Sequence, residues 1–308
     1  MKRRKILHAV SAVVLAVTMT LMSLMSSRVT IAATNPTYTA LGADLTAEQK
    51  ETVLSLLRTA KSDITEDTSV TVTNAEEHEY LDKYLDQKVI GTKALSSCKV
   101  TPAKNGDGIQ VETHNINYIT PSMYQNALAT AGMKNAVVIV AAPFPMSGTA
   151  ALIGAMKAYA KMSGQVIDPI VLEAATEELI TSGELAEEIG DADKSAELIA
   201  AVKQVIAENE LQDENDIRDV IINISNQLNI NISDAQLEKL VALMREFSAL
   251  DVNAKDLTEQ ARSIYEKAAE QGLDLSAYGI SSEDVSGFFS KLPGLLQAII
   301  NWLRGIFG

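Results

Sequence analysis

The chain has 308 residues, 47 % of them apolar, and carries a single cysteine and a net charge of −14. This length is expected for one or two domains, and the apolar share excludes a disordered chain. One cysteine excludes an internal disulfide, and the acidic balance argues against nucleic-acid binding, which needs a basic face.

Residues 1–33 are predicted to be a signal peptide. A basic start from Lys2 to Lys5 precedes an apolar stretch, and Ala32 or Ala33 offers a small residue for cleavage. The apolar stretch of about 20 residues is also long enough for an uncleaved anchor in a bilayer. Both alternatives predict an exported protein, either extracellular or associated with the cell envelope.

Residues 34–165 alternate strand and helix patterns and are predicted to form an α/β or α+β domain with a mixed sheet. Two capping boxes mark the first helices, Thr46 with Gln49 and Asn74 with Glu77. The region holds 13 acidic and 11 basic residues, so its charge is nearly balanced.

Two strand-like segments, 89–101 and 109–119, flank the turn pairs Asn-Gly and Asp-Gly at 105–108. Such pairs between apolar runs predict a β-hairpin. A Thr-Pro pair after the second segment predicts the start of a helix, and Gly132 predicts its end.

The segment "VVIVAAPFPMSGTAALIGAMKAY", from Val137 to Tyr159, has the pattern of a strand, a turn and a helix. Phosphate loops occur in such a setting, but they need several glycines and often a lysine. Only Gly148 lies in this turn, and the first lysine is Lys157. The segment is therefore predicted to be structural, with small residues that let the helix pack closely on a sheet. Its strand end, at 143–149, is where an α/β pocket would lie.

Ser147 and Thr149 are predicted N-cap residues of this helix, and with Gly148 they form the candidate pocket. A hydrolase or a small-ligand-binding domain is the alternative function that this pocket would serve. The hydrolase alternative requires Glu112 and His114 to converge with Ser147 and Thr149 within hydrogen-bond distance.

Other candidates for chemistry are weak. His78 and Asp82 lie four residues apart in a predicted helix, and two ligands are fewer than a metal site normally has, so a salt-linked surface is expected. Cys98 has no base or metal partner nearby in sequence and is expected to be an unreactive residue in or beside a strand. Serine-hydrolase elbows, metalloprotease motifs and Walker loops do not occur. No catalytic residue, metal or cofactor is predicted.

Residues 166–284 hold 27 acidic and 8 basic residues and show only helical patterns, so an all-α region with solvated acidic faces is predicted. Ser233 with Gln236 forms a capping box. The residues that follow at helical spacing as a core stripe are Leu237, Leu240, Val241, Met244 and Phe247. Helices are expected from Pro169 onward and at about 184–190, 192–209, 214–228, 234–249 and 254–271.

Residues 285–308 have the spacing of an amphipathic helix. Its apolar face could dock on the acidic helices, lie on a membrane surface, or contact an envelope protein or a second copy, and the sequence leaves these alternatives open. The contact residues would be Phe288, Phe289, Leu292, Leu296, Ile299, Ile300, Trp302, Leu303 and Phe307.

Four strings together resemble the YpuA-like family of exported bacterial proteins, a domain of unknown function (1002). They are "LGADLT" at 41–46, "VTNAEEHEYL" at 72–81, "IGTKALSS" at 90–97 and "NINYITPSMYQNALATAGMKNAVVIVAAPFPMSGTAALIGAMKAY" at 115–159. The resemblance implies an export signal and an origin typical of Firmicutes, and it implies no activity or cofactor. The leading prediction is therefore a secreted, non-enzymatic, envelope-associated protein that acts by association through 285–308. Its oligomeric state is left open.

Overall fold

The computed structural model describes residues 36–166 and 168–250. The predicted signal peptide, the predicted helix at 254–271 and the predicted amphipathic helix at 285–308 lie outside these residues. Within the described residues, no helix is both long and apolar enough to cross a membrane.

A five-stranded mixed sheet forms the first part of the fold, as predicted. The strands are β1 (Tyr38–Gly42), β2 (Ser69–Val72), β3 (Ser97–Pro102), β4 (Ile109–Ile116) and β5 (Ala136–Met146). They run in the order β2-β1-β3-β5-β4, with β1 parallel to β2 and β4 parallel to β5, while β3 is antiparallel to both neighbours.

Helices cover both faces of the sheet. The helices of this part are α1 (Ala47–Leu56), α2 (Asn74–Leu81), α3 (Gln87–Ile90), α4 (Pro121–Thr130) and α5 (Thr149–Ser163). On one face α1 packs on β5 over a small apolar cluster that includes Val53 and Ile139. On the other face α5 crosses β1, β2 and β3, and α4 contacts β4.

Helix α5 packs closely on the sheet because its inner side consists of small residues. A Cβ atom at Gly154 would lie 2.8 Å from the Cβ of Ala40 and 3.3 Å from the Val72 side chain. Ala151 and Ala155 on the same helix are fully buried. The close packing predicted from these small residues is confirmed.

The second part contains helices only, and the described residues from 168 to 250 include no strand. The helices are α6 (Pro169–Ile189), α7 (Ala192–Asn209), α8 (Glu214–Gln227) and α9 (Asp234–Ser248). Helix α4 joins them to the sheet, because α4 contacts both α6 and α7 and one hydrophobic core extends through all of them. The sequence predicted separate helices at 169 and at 184–190, but α6 is continuous.

The predicted hairpin between 89–101 and 109–119 is wrong. β5 lies between β3 and β4, and the segment before β3 is the short helix α3. The turn pairs do reverse the chain, but Gly106 and Gly108 donate their N–H groups to the Asn135 side chain, at 2.8 and 3.3 Å. This anchor places the start of β5 beside the turn, so β5 enters between the two strands.

The capping predictions are confirmed for α1 and corrected for α2. Thr46 and Gln49 form the predicted reciprocal bonds. In α2 the box is Thr73 with Glu76, one residue before the predicted pair. Glu77 satisfies the same spacing in sequence, but it is buried and bonded elsewhere.

Candidate functional site

A cavity of about 470 Å³ lies at the carboxyl end of β5. Three loops surround it: the segment from α3 to β3, the loop after β4, and the turn between β5 and α5. Ser147 and Thr149, which the sequence predicted for this pocket, both line it. The other polar side chains around it include Glu77, Lys88, Lys93, Ser96 and Asn117.

Gly148 fixes the turn at which the cavity forms. Its φ of +96° is in the left-handed region, and a Cβ atom there would lie 2.4 Å from the Tyr124 hydroxyl and 2.8 Å from Ile116. The buried Tyr124 hydroxyl also donates a hydrogen bond of 2.6 Å to the Gly148 carbonyl. Only glycine fits this position, and the bond from Tyr124 restrains the turn between the two lining residues Ser147 and Thr149.

The prediction that Ser147 or Thr149 caps α5 is wrong. The N-cap is Gly148, which has no side chain to offer, and the N–H of Ala151 instead donates to the Ser96 hydroxyl at 2.9 Å. A tertiary contact from the chain before β3 therefore replaces the local cap. The hydroxyls of Ser147 and Thr149 are left for other partners.

Glu77 is the buried acid of the cavity. Its Oε1 accepts a 2.8 Å hydrogen bond from the Thr149 hydroxyl, and its Oε2 accepts one of 3.3 Å from the Asn74 amide. Ser147 Oγ lies 3.3 Å from Thr149 Oγ1, so three side chains form a chain from the cavity to the carboxylate. Burial raises the pKa of Glu77, and the bonds from Thr149 and Asn74 oppose this shift.

Helix α2 holds the segment between α3 and β3 in place. His78 Nε2 lies 3.2 Å from the Gly91 carbonyl oxygen, and the Asn74 amide donates to the same oxygen at 3.3 Å. Farther along, the N–H of Ala94 donates to the Asp44 carboxylate at 2.8 Å. The residues between these anchors include Lys93, so one of the two lysines at the cavity lies on a segment fixed at both ends.

The predicted link between His78 and Asp82 is confirmed, with Nδ1 and Oδ1 2.6 Å apart. The hydrogen bond with Asp82 raises the pKa of His78. Both ring nitrogens face acceptors, which fits the protonated imidazolium. Among residues 36–166 and 168–250, no three His, Cys, Asp or Glu side chains are grouped to hold a metal.

Glu112 and His114 lie away from the cavity. They pair in register with Ile139 and Ala141, which belong to the cluster under α1, and in-register neighbours share a face. His114 Nε2 is 2.9 Å from the Glu112 carboxylate, and Arg58 donates to that carboxylate at 2.5 Å. The structure therefore does not bring these two residues together with Ser147 and Thr149, as the hydrolase alternative requires.

Cys98 lies in β3 and is fully buried, as expected for an unreactive cysteine in a strand. Burial raises the pKa of its thiol to about 12. The reactive thiolate is therefore scarce at neutral pH.

A second cavity of about 470 Å³ lies between α5 and the start of α6, beside Tyr80, Met156 and Leu172. Its two cations are already bonded, Lys157 to the Glu76 carboxylate and the Thr71 carbonyl, and Lys161 to the carbonyls of Glu66 and Ser69. Fewer uncommitted polar groups converge here than at the end of β5, so the first cavity is the stronger candidate.

Sequence reasoning missed Lys88, Lys93, Ser96 and Asn117 as pocket residues. They come from two segments, the chain from α3 to β3 and the loop after β4, and no local pattern marks them. Glu77 had a signal, because "TNAEE" offers two acids at possible capping positions and only one is used. An acid that the cap does not use is a candidate for a tertiary contact, and here that acid is Glu77.

The fold and this site define a class: a mixed α/β sheet with a helical extension and a polar pocket at a strand end. The family model described as protein of unknown function (DUF1002) matches residues 41–264. The chain is 38 % identical over 277 residues to the uncharacterized protein YpuA of Bacillus subtilis (strain 168), covering 90 % of this chain and 91 % of that protein. No solved structure matches the chain. The protein belongs to the DUF1002 family, in agreement with the resemblance read from its sequence.

Proposed function

We propose that the protein is an exported, non-enzymatic envelope protein that binds a small ligand in the pocket at the end of β5. The observation that carries this proposal is the cavity of about 470 Å³ at which Ser147 and Thr149 meet side chains from two other segments. Small-ligand sites commonly have volumes of roughly 300–1,000 Å³ and a few convergent polar groups.

The pocket wall is organised before any ligand arrives. Gly148 is held by Tyr124, Ser96 is bonded to the first turn of α5, and Gly91 is held by Asn74 and His78. A fixed wall lowers the entropy lost on binding, which favours a binding role.

Hydrolysis is less well supported than binding. Ser147 is the half-buried hydroxyl at the cavity, and a general base must lie within hydrogen-bond distance of it. Among the described residues, the side chain within hydrogen-bond distance of Ser147 Oγ is the Thr149 hydroxyl, and this hydroxyl in turn donates to the Glu77 carboxylate. A serine whose proton would have to pass through threonine lacks the direct base that serine nucleophiles use.

Binding to the pocket can be tested by screening a small-molecule library against the full-length protein by ligand-observed NMR. Ser147→Trp places a large ring at the cavity, whereas Ser62→Trp makes the same change at an exposed serine in the short 3-10 helix Lys61–Asp63 before β2. We expect ligands that bind the wild type and Ser62→Trp but lose binding to Ser147→Trp. Equal binding to both variants, or conversion of a bound ligand to product, would contradict the proposal.

Export and association with the envelope rest on the sequence of 1–33 and of 285–308. The apolar stripe of 285–308 is proposed to contact a membrane surface or an envelope protein. Deleting 285–308 is expected to leave a folded protein that no longer co-sediments with anionic vesicles or with the envelope fraction. Unchanged partitioning after this deletion would contradict the association.

A further inference from the structure

We propose that the ligand of the pocket at the end of β5 is a small anion, a carboxylate or a phosphate, bound by Lys88 and Lys93. This inference rests on the binding function proposed above and narrows its ligand to one chemical class. Both lysines line the cavity and are exposed to solvent.

The two lysines differ from several other cations of the sheet region. Lys83 and Lys157 pair with acids, and Lys161 donates to backbone carbonyls. Among the described residues, Lys88 and Lys93 form no ion pair. Two ammonium groups at one cavity are therefore without an ion-pair partner among these residues, which an anionic ligand would supply.

The negative charge of the whole chain favours anion binding at this pair of lysines over the rest of the surface. The net charge is −14, and residues 166–284 alone hold 27 acids against 8 bases. A small anion is repelled by most of such a surface and attracted where two cations flank a concave site. Helix α5 begins at the same cavity, and the positive end of its dipole adds to the attraction.

The acid of the cavity is not an ion-pair partner of the two lysines. Both oxygens of Glu77 are bonded from within the protein, by Thr149 and by Asn74, and its side chain is buried. The hydroxyl of Ser147 and the amide of Asn117 are additional donors at the cavity. An anion could therefore be held by two charges and by neutral hydrogen-bond donors.

His78 and Asp44 act as positioning residues in this proposal. His78 holds the Gly91 carbonyl and Asp44 holds the Ala94 N–H, so Lys93 is presented on a segment that is fixed on both sides. Neither residue needs to contact the ligand.

The test is an amide NMR titration of the full-length protein with succinate, inorganic phosphate and the neutral polyol erythritol. The double variant Lys88→Gln/Lys93→Gln removes the two charges, and Lys61→Gln/Lys104→Gln removes two exposed charges elsewhere as the matched control. We expect succinate or phosphate to shift the amides of Ser147 and Thr149. The first double variant should weaken binding about tenfold, while the control changes it less than about twofold.

The outcomes separate the ligand class from the pocket itself. Binding of succinate without phosphate, or the reverse, identifies which anion the site takes and supports the proposal. If erythritol binds and neither anion does, the proposal of an anionic ligand is wrong, although the pocket still binds a ligand. The same conclusion follows if the Lys88→Gln/Lys93→Gln variant leaves the affinity for the anion unchanged. If none of the three probes shifts these amides while the library ligands do, the anion class is also wrong.

A second readout tests the positioning role. His78→Gln should weaken anion binding severalfold without changing the erythritol result, and the shifts on titration should still centre on Ser147. An unchanged anion affinity in His78→Gln would remove His78 from the proposal but leave the lysines, which the double variant tests by itself.

Discussion

The sheet region and the helical region each bury a glutamate, and the surroundings of the two differ. Glu77 in the sheet region is 1 % exposed, lies at a cavity and is bonded by a neutral hydroxyl and a neutral amide. Glu178 in the helical region is 2 % exposed and accepts two bonds from the Lys203 ammonium, at 2.7 and 3.0 Å. A buried acid that is hydrogen-bonded by neutral groups beside a cavity marks a candidate site, whereas an acid fully paired with a buried cation indicates structure.

The pair of Lys203 and Glu178 belongs to a wider network that joins the helices to the sheet region. Glu178 also accepts a hydrogen bond from the Thr130 hydroxyl, and Lys203 donates to the Asn126 carbonyl at 3.0 Å. The Lys203 ammonium lies 5.4 Å from the centre of the Phe247 ring. Residues of α4, α6, α7 and α9 thus meet at one buried charge pair.

The largest expected effect comes from breaking this pair. Lys203→Met leaves the Glu178 charge buried and uncompensated, so unfolding should become easier by about 3–5 kcal/mol. Lys239→Met breaks the exposed pair with Glu184 and should cost less than about 1 kcal/mol. Urea unfolding of the two variants measures both values.

A double variant separates lost charge balance from lost packing. Lys203→Met/Glu178→Leu removes both charges and should recover most of the stability that Lys203→Met loses. If Lys203→Met costs no more than Lys239→Met, the buried pair does not have the role that its geometry assigns to it.

Glu197 in α7 is a third buried acid, and among the described residues neither of its oxygens has a hydrogen-bond partner. Burial raises its pKa to about 7, Lys194 opposes the shift, and Asp191 and Asp193 add to it. A raised acid pKa means that the folded state holds the proton more tightly than the unfolded state. Its contribution to stability therefore falls as pH rises from about 4.5 to about 7.

Glu197→Gln should remove this pH dependence. We expect the variant to be about 2–3 kcal/mol more stable than the wild type at pH 8 and nearly equal to it at pH 4.5. Urea unfolding at both pH values measures the difference, and Glu51→Gln on the exposed side of α1 is the matched control. A gain of the same size at both pH values would show that the charge of Glu197 is not its cause.

Local signals predicted several local features correctly. The Thr46 capping box, the Thr-Pro start of α4 and the buried stripe with Leu240, Met244 and Phe247 are all confirmed. These features depend on residues at most three or four positions apart, so a short stretch of sequence contains all the interactions needed to predict them.

Long-range features were not predictable in the same way. The insertion of β5 between β3 and β4 depends on Asn135 reaching a turn far from it in sequence. The acidic residues were expected on solvated faces, but Glu178 and Glu197 are buried, because their surroundings are set by helices from elsewhere in the chain. For the same reason Ser147 and Thr149 could be predicted from one turn, while Lys88 and Lys93 could not.

A smaller effect is expected at the acid of the pocket. Glu77→Gln keeps the size of the side chain and an acceptor for the Thr149 hydroxyl, so the free energy of unfolding should change by less than about 1 kcal/mol. Removing its negative charge should also strengthen succinate or phosphate binding a fewfold, by about 0.5–1 kcal/mol. Glu178→Gln, with the same chemical change, should destabilise by several times as much because it leaves Lys203 unpaired. Equal stability losses in the two variants would remove the contrast between the site acid and the structural acid.

The smallest expected effect is on the segment that carries Lys93. The hydrogen bond with Asp82 raises the pKa of His78. The protonated His78 therefore contributes its full stabilisation below the usual histidine pKa of about 6.5. This stabilisation is lost as pH rises through the higher pKa that His78 has in the folded protein. Amide hydrogen exchange, corrected for its intrinsic pH dependence, should show residues 91–94 losing protection above neutral pH. His78→Gln should abolish this dependence, and His114→Gln, on the other face of the sheet, should leave it in place. If the segment loses protection equally in His78→Gln and the wild type, the loss comes from another group, and the pocket wall is not tied to the protonation of His78.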